Sequence, residues 1–262
     1  MKLAKATLDY QHDGQVATVR LAAPKANILD QVMMGNLCEI FQALGRRIDL
    51  KTIVVTADGP SFSYGASVQE HLPDQIAGTL KQLRELLELM IGAPAPTIAA
   101  VRGQCLGGGF ELVLACDLIL AEKTAQFGCP EIKLGVFPPA ASALLPVKVG
   151  SARAANLVLS GDSWTGTAAS GARLVSFLTG AGGLDQKLKE VLEADFLPRS
   201  AAALRYAAQA VRLRSLTAIK EVLPQLERMY LSELMKDPKA LEGIRAFLEK
   251  RQPSWARSKP VN

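Results

Sequence analysis

Histidine is nearly absent from this chain. Its 262 residues include two, His12 and His71. That is too few for the usual metal cluster, so no zinc or haem is expected. Cysteine is scarce as well. Cys38, Cys105, Cys116 and Cys129 form no CxxC pair, and three of them lie in apolar segments. This excludes a disulfide scaffold and predicts reduced core thiols in a cytoplasmic protein. No uninterrupted apolar run approaches the roughly 20 residues of a membrane span. The opening Met1-Lys2-Leu3-Ala4-Lys5 has no apolar run behind its charges, so no secretory signal or membrane partner is expected. Aromatic residues are only 5% and are not interleaved with basic ones, which argues against a nucleic-acid surface.

Apolar residues are what the chain has in quantity. At 49% hydrophobic and 21% charged, it describes a well-cored globular protein. The length suits one large domain, or one domain with an appendage. The formal charge is +5, with Lys and Arg scattered apart from Lys250, Arg251, Arg257 and Lys259 near the end. A modest positive balance suits an anionic small-molecule substrate.

Val16–Leu21, Thr52–Thr56, Thr97–Val101 and Asp117–Ala121 read as strands. Asp30–Arg47 and Ala77–Ile91 carry apolar residues at helical spacing. Strands alternate with helices to about residue 195, which predicts an α/β fold. The strand signal then stops. Ala201–Val211, Thr217–Leu234 and Pro238–Lys250 read as helices, the last opened by an Asp237 cap and a first-turn proline. Residues 1–197 are therefore expected to form the core with the site, and 198–262 a helical region.

The densest chemical signal is Val101-Arg102-Gly103-Gln104-Cys105-Leu106-Gly107-Gly108-Gly109-Phe110-Glu111, followed by Glu131 in Phe127-Gly128-Cys129-Pro130-Glu131. Three successive glycines let a backbone approach a ligand closely. An apolar helix starts at once, and N–H groups at a helix start are free to bind a negative oxygen. Glu111 lies one turn beyond Gly108, on roughly the same face. A carboxylate beside an anion-binding amide, in apolar surroundings, suits chemistry on a carbonyl compound. A glutamate amid Phe110, Leu112 and Val113 is costly to bury without a purpose. The bland alternatives are a glycine packing device and a structural carboxylate.

These residues carry a family likeness. Phe62-Ser63-Tyr64-Gly65-Ala66-Ser67, Gly107–Leu112 with Cys116-Asp117, and Gln126–Glu131 resemble, in order and spacing, three motifs of the enoyl-CoA hydratase/isomerase (crotonase) superfamily. The resemblance implies a spiral of ββα turns and a C-terminal helical region that builds trimers or dimers of trimers. It implies an acyl-CoA thioester as substrate, with no separate cofactor. It assigns the oxyanion-binding N–H groups to Ala66 and Gly108 and the two hydratase glutamates to the pair Glu111 and Glu131; within the pair, our own reading has Glu111 activating water and Glu131 delivering a proton. Lys25 and Ala26 match a coenzyme-binding Pro-Lys-Ala segment. Phe247 and Lys250 match a C-terminal segment that often contacts the coenzyme of a neighbouring subunit, and Tyr64 falls beside the adenine.

Four positions depart from the usual pattern: Tyr64 for a small residue, Ser67 for aspartate, His71 for an apolar residue near the acyl pocket, and Pro139 where hydratases carry a glycine. That glycine's N–H helps hold the reacting water, and proline has none to give. Phe62–Ser67, Glu70-His71-Leu72-Pro73 and Val136–Ser142 are similar to the cyclohexa-1,5-diene-1-carbonyl-CoA hydratases. The resemblance thus implies a hydratase of a conjugated enoyl- or dienoyl-CoA. The alternatives are an enoyl-CoA isomerase, a straight-chain 2-enoyl-CoA hydratase, and a non-catalytic binding protein of the same fold.

Overall fold

A computed structural model describes residues 1–255 of the chain; Arg257 and Lys259 lie outside them. The main sheet has six strands: β1 (Ala6–Gln11), β2 (Val16–Leu21), β3 (Thr52–Ala57), β4 (Thr97–Val101), β6 (Leu118–Glu122) and, at its far edge, β9 (Phe177–Thr179). Only the β1–β2 hairpin is antiparallel, and the other pairings are parallel. A second sheet holds β5 (Gln104–Leu106), β7 (Gln126–Gly128) and β8 (Ser163–Thr165).

Every residue of β3 and β4 is buried, as expected of parallel strands covered on both faces. Their side chains alternate between two apolar layers. Ile53, Val55, Ala99 and Val101 face the large core, beneath α1 (Gln31–Leu44), α2 (Ile76–Ile91) and α3 (Gly108–Leu114). Val54, Ile98, Ala100 and Leu120 face a smaller layer with α7 (Leu184–Val191) and the π turn after it.

The chain winds as repeating ββα turns. β4 leads through β5 into α3. β6 leads through β7 into the 3₁₀ turn Pro130–Leu134 and then α4 (Pro139–Val149). An isolated bridge, Ser63 to Cys105, places the segment after β3 beside the small sheet in the same way. The expected spiral is thus the observed one. The elements between the expected ones are α5 (Ser151–Ser160), α6 (Gly166–Gly171), β8 and β9.

Between residues 201 and 248 the chain is mainly helical: α8 (Ala201–Val211), α9 (Leu213–Thr217), α10 (Leu223–Ser232) and α11 (Pro238–Leu248). The helix expected to start at Thr217 starts at Leu213 and carries a π turn at Ala218–Val222. Pro224 follows directly and has no N–H for the ladder, which the wider turn accommodates. This region is not a detached lobe. Ala218, Ile219 and Leu223 join the large core. Arg212, 3% exposed, donates to the carbonyls of Ile91, Ala93 and Ala95 and bridges both carboxylate oxygens of Asp117. Cys105, Cys116 and Cys129 are buried free thiols and Cys38 is half-buried; desolvation pushes Cys116 up to about 12. Among the described residues no helix is long and apolar enough to cross a membrane.

Candidate active site

Strand pairing assembles the site. β5 pairs in parallel with β7, setting Leu106 opposite Gly128, and the Gly107 N–H donates to the Gly128 carbonyl at 2.9 Å. Three residues after Gly128 comes Glu131. The glycine at 107 is required twice. Its φ is +50°, and a Cβ there would stand 2.6 Å from Glu131 Oε1. The next glycines have their own neighbours: a Cβ on Gly109 would meet Ser63 Cβ at 2.5 Å, and one on Gly65 the Leu106 carbonyl at 3.0 Å. Absence of side chains is what lets these three segments touch.

Where these segments meet, the N–H groups of Ala66 and Gly108 have no backbone acceptor. Gly108 opens α3, where an N–H has no intrahelical partner. Ala66 forms a parallel bridge with Leu29 in which Leu29 bonds to Gly65 O and Ser67 N. The Ala66 N–H therefore points away from Leu29. The two groups adjoin: a Cβ on Gly108 would lie 3.4 Å from the Ala66 nitrogen. Two free donors in a water-poor site are suited to hold a developing oxyanion.

Glu111 is 4% exposed. Its Oε1 accepts from the Ala141 N–H at 2.8 Å, and the Ala140 N–H supports it as well. Both amides belong to the first turn of α4, which has no side-chain cap of its own because Pro138 precedes it. Glu111 thus supplies from α3 what a capping residue would supply locally. Glu131, on the 3₁₀ turn, is half-buried as a residue, but its Oε2 is sealed from solvent and has no partner. Burial pushes both carboxyls above the ordinary range. Two amide donors hold Glu111 back, whereas Glu131 is raised further by the charge of Glu111. Of the coupled pair, Glu131 is the better proton holder and Glu111 the better carboxylate.

The two acids, Ala66, Gly108, His71 and Pro139 line an inner chamber of about 30 Å³, room for a water molecule or two. Leu29, Met34, Leu80, Leu83 and Phe137 are among its apolar walls, and Thr79 lines it too. Ala66, His71 and Glu131 also line a cleft of about 720 Å³, so the chamber joins the cleft at these residues. Tyr64 and Phe247 lie on the cleft wall, and the basic groups there are Lys133 and Arg251. Lys25, Ala26 and Lys250 are not among its lining residues. Ala26 lies close by all the same, its carbonyl accepting from the Tyr64 N–H at 2.9 Å. Lys133, two residues from Glu131, was legible only as one scattered lysine. Phe137 and Met34 had no signal beyond apolarity. Among the described residues no three His, Cys, Asp or Glu side chains gather as a metal site would require.

The comparisons agree with this geometry. The enoyl-CoA hydratase/isomerase family model matches residues 11–258. The chain is 45% identical over 256 residues to the cyclohexa-1,5-dienecarbonyl-CoA hydratase of Thauera aromatica, covering 94% of each. It is 34% identical to the 2,3-dehydroadipyl-CoA hydratase of Escherichia coli K12, across 92% of this chain and 95% of that one. The solved structure of an enoyl-CoA hydratase from Mycobacterium avium subsp. paratuberculosis K-10 superposes with a TM-score of 0.85 at 25% identity, over 98% of this chain and all 100% of that one.

Proposed function

Since this chain belongs to the enoyl-CoA hydratase/isomerase family and is a hydro-lyase of the enoyl-CoA hydratase type, we propose that its substrate is a conjugated cyclic dienoyl thioester, cyclohexa-1,5-diene-1-carbonyl-CoA. One observation carries the reading: two glutamates, Glu111 and Glu131, share a chamber with the free N–H groups of Ala66 and Gly108. The 45% identity to a hydratase of that name supports the acyl group.

The thioester oxygen sits between the Ala66 and Gly108 amides. Water sits in the chamber against Glu111, which takes its proton as the oxygen adds to the activated double bond. Charge moves onto the thioester oxygen, where the two amides stabilise it; one such donor is typically worth about 10²–10³ in rate. Glu131, holding a proton, delivers it to carbon. A proton passed from Glu111 to Glu131 restores the starting state. Pro139 packs as an apolar wall of the chamber, so the two carboxyls hold the water without an amide from that position. Coenzyme A belongs to the substrate and no further cofactor is needed.

The coenzyme lies along the cleft, against Tyr64 and Phe247, with Lys133 and Arg251 and the nearby Lys25, Ala26 and Lys250 serving its polar parts. The chemistry belongs to residues 1–197. The helices of 198–262 serve self-association into a trimer or a dimer of trimers, through exposed apolar side chains such as Tyr206, Val211 and Leu213.

The test is mass spectrometry of the purified protein with the cyclic dienoyl-CoA and, separately, with crotonyl-CoA. A gain of one water on the cyclic diene, lost in Glu111→Gln and in Glu131→Gln, is the expected result. Hydration of crotonyl-CoA alone would make the substrate a straight-chain enoyl-CoA. Rearrangement without mass gain would make the protein an isomerase.

A further inference from the structure

His71 closes the 3₁₀ turn Val68–His71, which begins two residues after Ala66. Its Nδ1 lies 2.8 Å from the backbone carbonyl of Ser67. A carbonyl oxygen only accepts, so Nδ1 carries the hydrogen, and in a neutral ring Nε2 is then left with a lone pair. Burial lowers the ring's proton affinity, which keeps it neutral near pH 7. Ser67 adjoins Ala66 in sequence, so the bond ties the imidazole to the same backbone that offers the Ala66 N–H.

The ring stands where the wide cleft opens into the inner chamber and lines both. Among the described residues no protein donor bonds Nε2, and it is not one of the sealed, unpartnered interior atoms. It is therefore accessible, on a ring that lines both spaces. The chamber walls are mostly apolar, and the Thr79 hydroxyl already donates to backbone carbonyls. Of the two carboxyls beside it, Glu111 can only accept and Glu131 keeps its proton for the reacting carbon, so this nitrogen is an acceptor open to a donor on the ligand, and an acceptor left unpaired in apolar surroundings is unfavourable.

We propose that His71 is a specificity-determining residue: with its Nδ1–H tied to the Ser67 carbonyl, its Nε2 accepts the hydrogen bond of the hydroxyl that hydration places on the acyl group. This rests on the acyl-CoA reading of the cleft. A site built to pair a hydroxyl disfavours the analogue that lacks one, because its own polar atom is then stranded. His71 would in this way favour the hydrated thioester over a hydroxyl-free acyl group of the same shape.

The test is calorimetric binding of two unreactive thioesters, hydroxypivaloyl-CoA and pivaloyl-CoA. Neither has an α-hydrogen, so neither can lose water, and they differ only in the hydroxyl. Wild-type protein is expected to bind the hydroxylated ligand about 3–10-fold more tightly, the range of one modest hydrogen bond. His71→Met should abolish this preference, read as the ratio of the two affinities within the same variant, and His71→Gln, which keeps an acceptor, should restore part of it. Equal weakening of both ligands in His71→Met would assign the ring to packing alone and overturn the proposal. So would an unchanged preference. Wild-type protein that hydrates no enoyl-CoA, yet keeps a preference that His71→Met removes, would refute the hydratase reading and leave the acceptor role standing.

Discussion

Gly108→Ala is the substitution that most cleanly separates chemistry from folding here. The backbone at 108 does not lie in the left-handed region, so alanine is conformationally allowed. Its Cβ would stand 3.3 Å from both Ala66 Cβ and Leu29 Cδ1, and 3.4 Å from the Ala66 nitrogen. These contacts are tight but yield to small shifts, and alanine favours the helix by up to about 1 kcal/mol over glycine. Stability should therefore change by less than about 1 kcal/mol. The methyl nevertheless enters the space beside the two free N–H groups, where the proposed mechanism puts the thioester oxygen. Losing effective access to one donor is typically worth about 10²–10³ in rate, or roughly 3–4 kcal/mol. The expected result is a fall of that size in kcat/KM for hydration, with an unfolding midpoint close to wild type by calorimetry. Gly107→Ala provides the contrast. There φ is +50° and the new Cβ would stand 2.6 Å from Glu131 Oε1, so stability and activity should fall together. A Gly108→Ala protein within threefold of wild-type activity would refute the placement of the oxygen between Ala66 and Gly108.

Two further expectations concern charge. Burial raises both glutamates, Glu131 further than Glu111, so kcat/KM against pH should be a bell with both limbs above the usual carboxylate range of about 4. Activity falls on the acid side as Glu111 gains a proton and on the alkaline side as Glu131 loses one; a flat profile from pH 5 to 9 would contradict the assignment. A carboxyl whose folded pKa is raised stabilises the fold below its unfolded value, and that contribution is lost as pH rises through the folded one. Glu131→Gln should thus gain thermal stability over wild type at pH 9 and little at pH 5, as scanning calorimetry will read. Arg212→Met leaves Asp117 without its buried partner and three carbonyls without their donor, so denaturant unfolding should show a loss of about 3–5 kcal/mol.

Much of this site is legible in one dimension. The run Gly107–Glu111 announces a close backbone approach, a helix start and a buried acid, because glycine's freedom and the cost of an isolated carboxylate are local properties. The strands β2, β3, β4 and β6 are visible as β-rich apolar runs. The short strands β5 and β7 are not, since three residues carry no periodicity. Yet it is their pairing that delivers Glu131 to the glycine loop. Pro139 is visible as a missing N–H, but not the capping of α4 by Glu111, which joins residues 30 apart. His71 stands out as one of two histidines. Which of its nitrogens is free follows only from where the Ser67 carbonyl falls.

The sequence by itself determined the residue types, the alternation of strand and helix, and the family, because these rest on composition, spacing and ordered motifs. The tertiary structure alone decided that Glu111 is held by two helix amides while Glu131 stands unpaired beside it. It alone brought Arg251 and Lys133 to the cleft and Arg212 into the seam between the helical region and the core. Proton affinity and ion pairing depend on desolvation and on distances across the fold, and no local pattern encodes those.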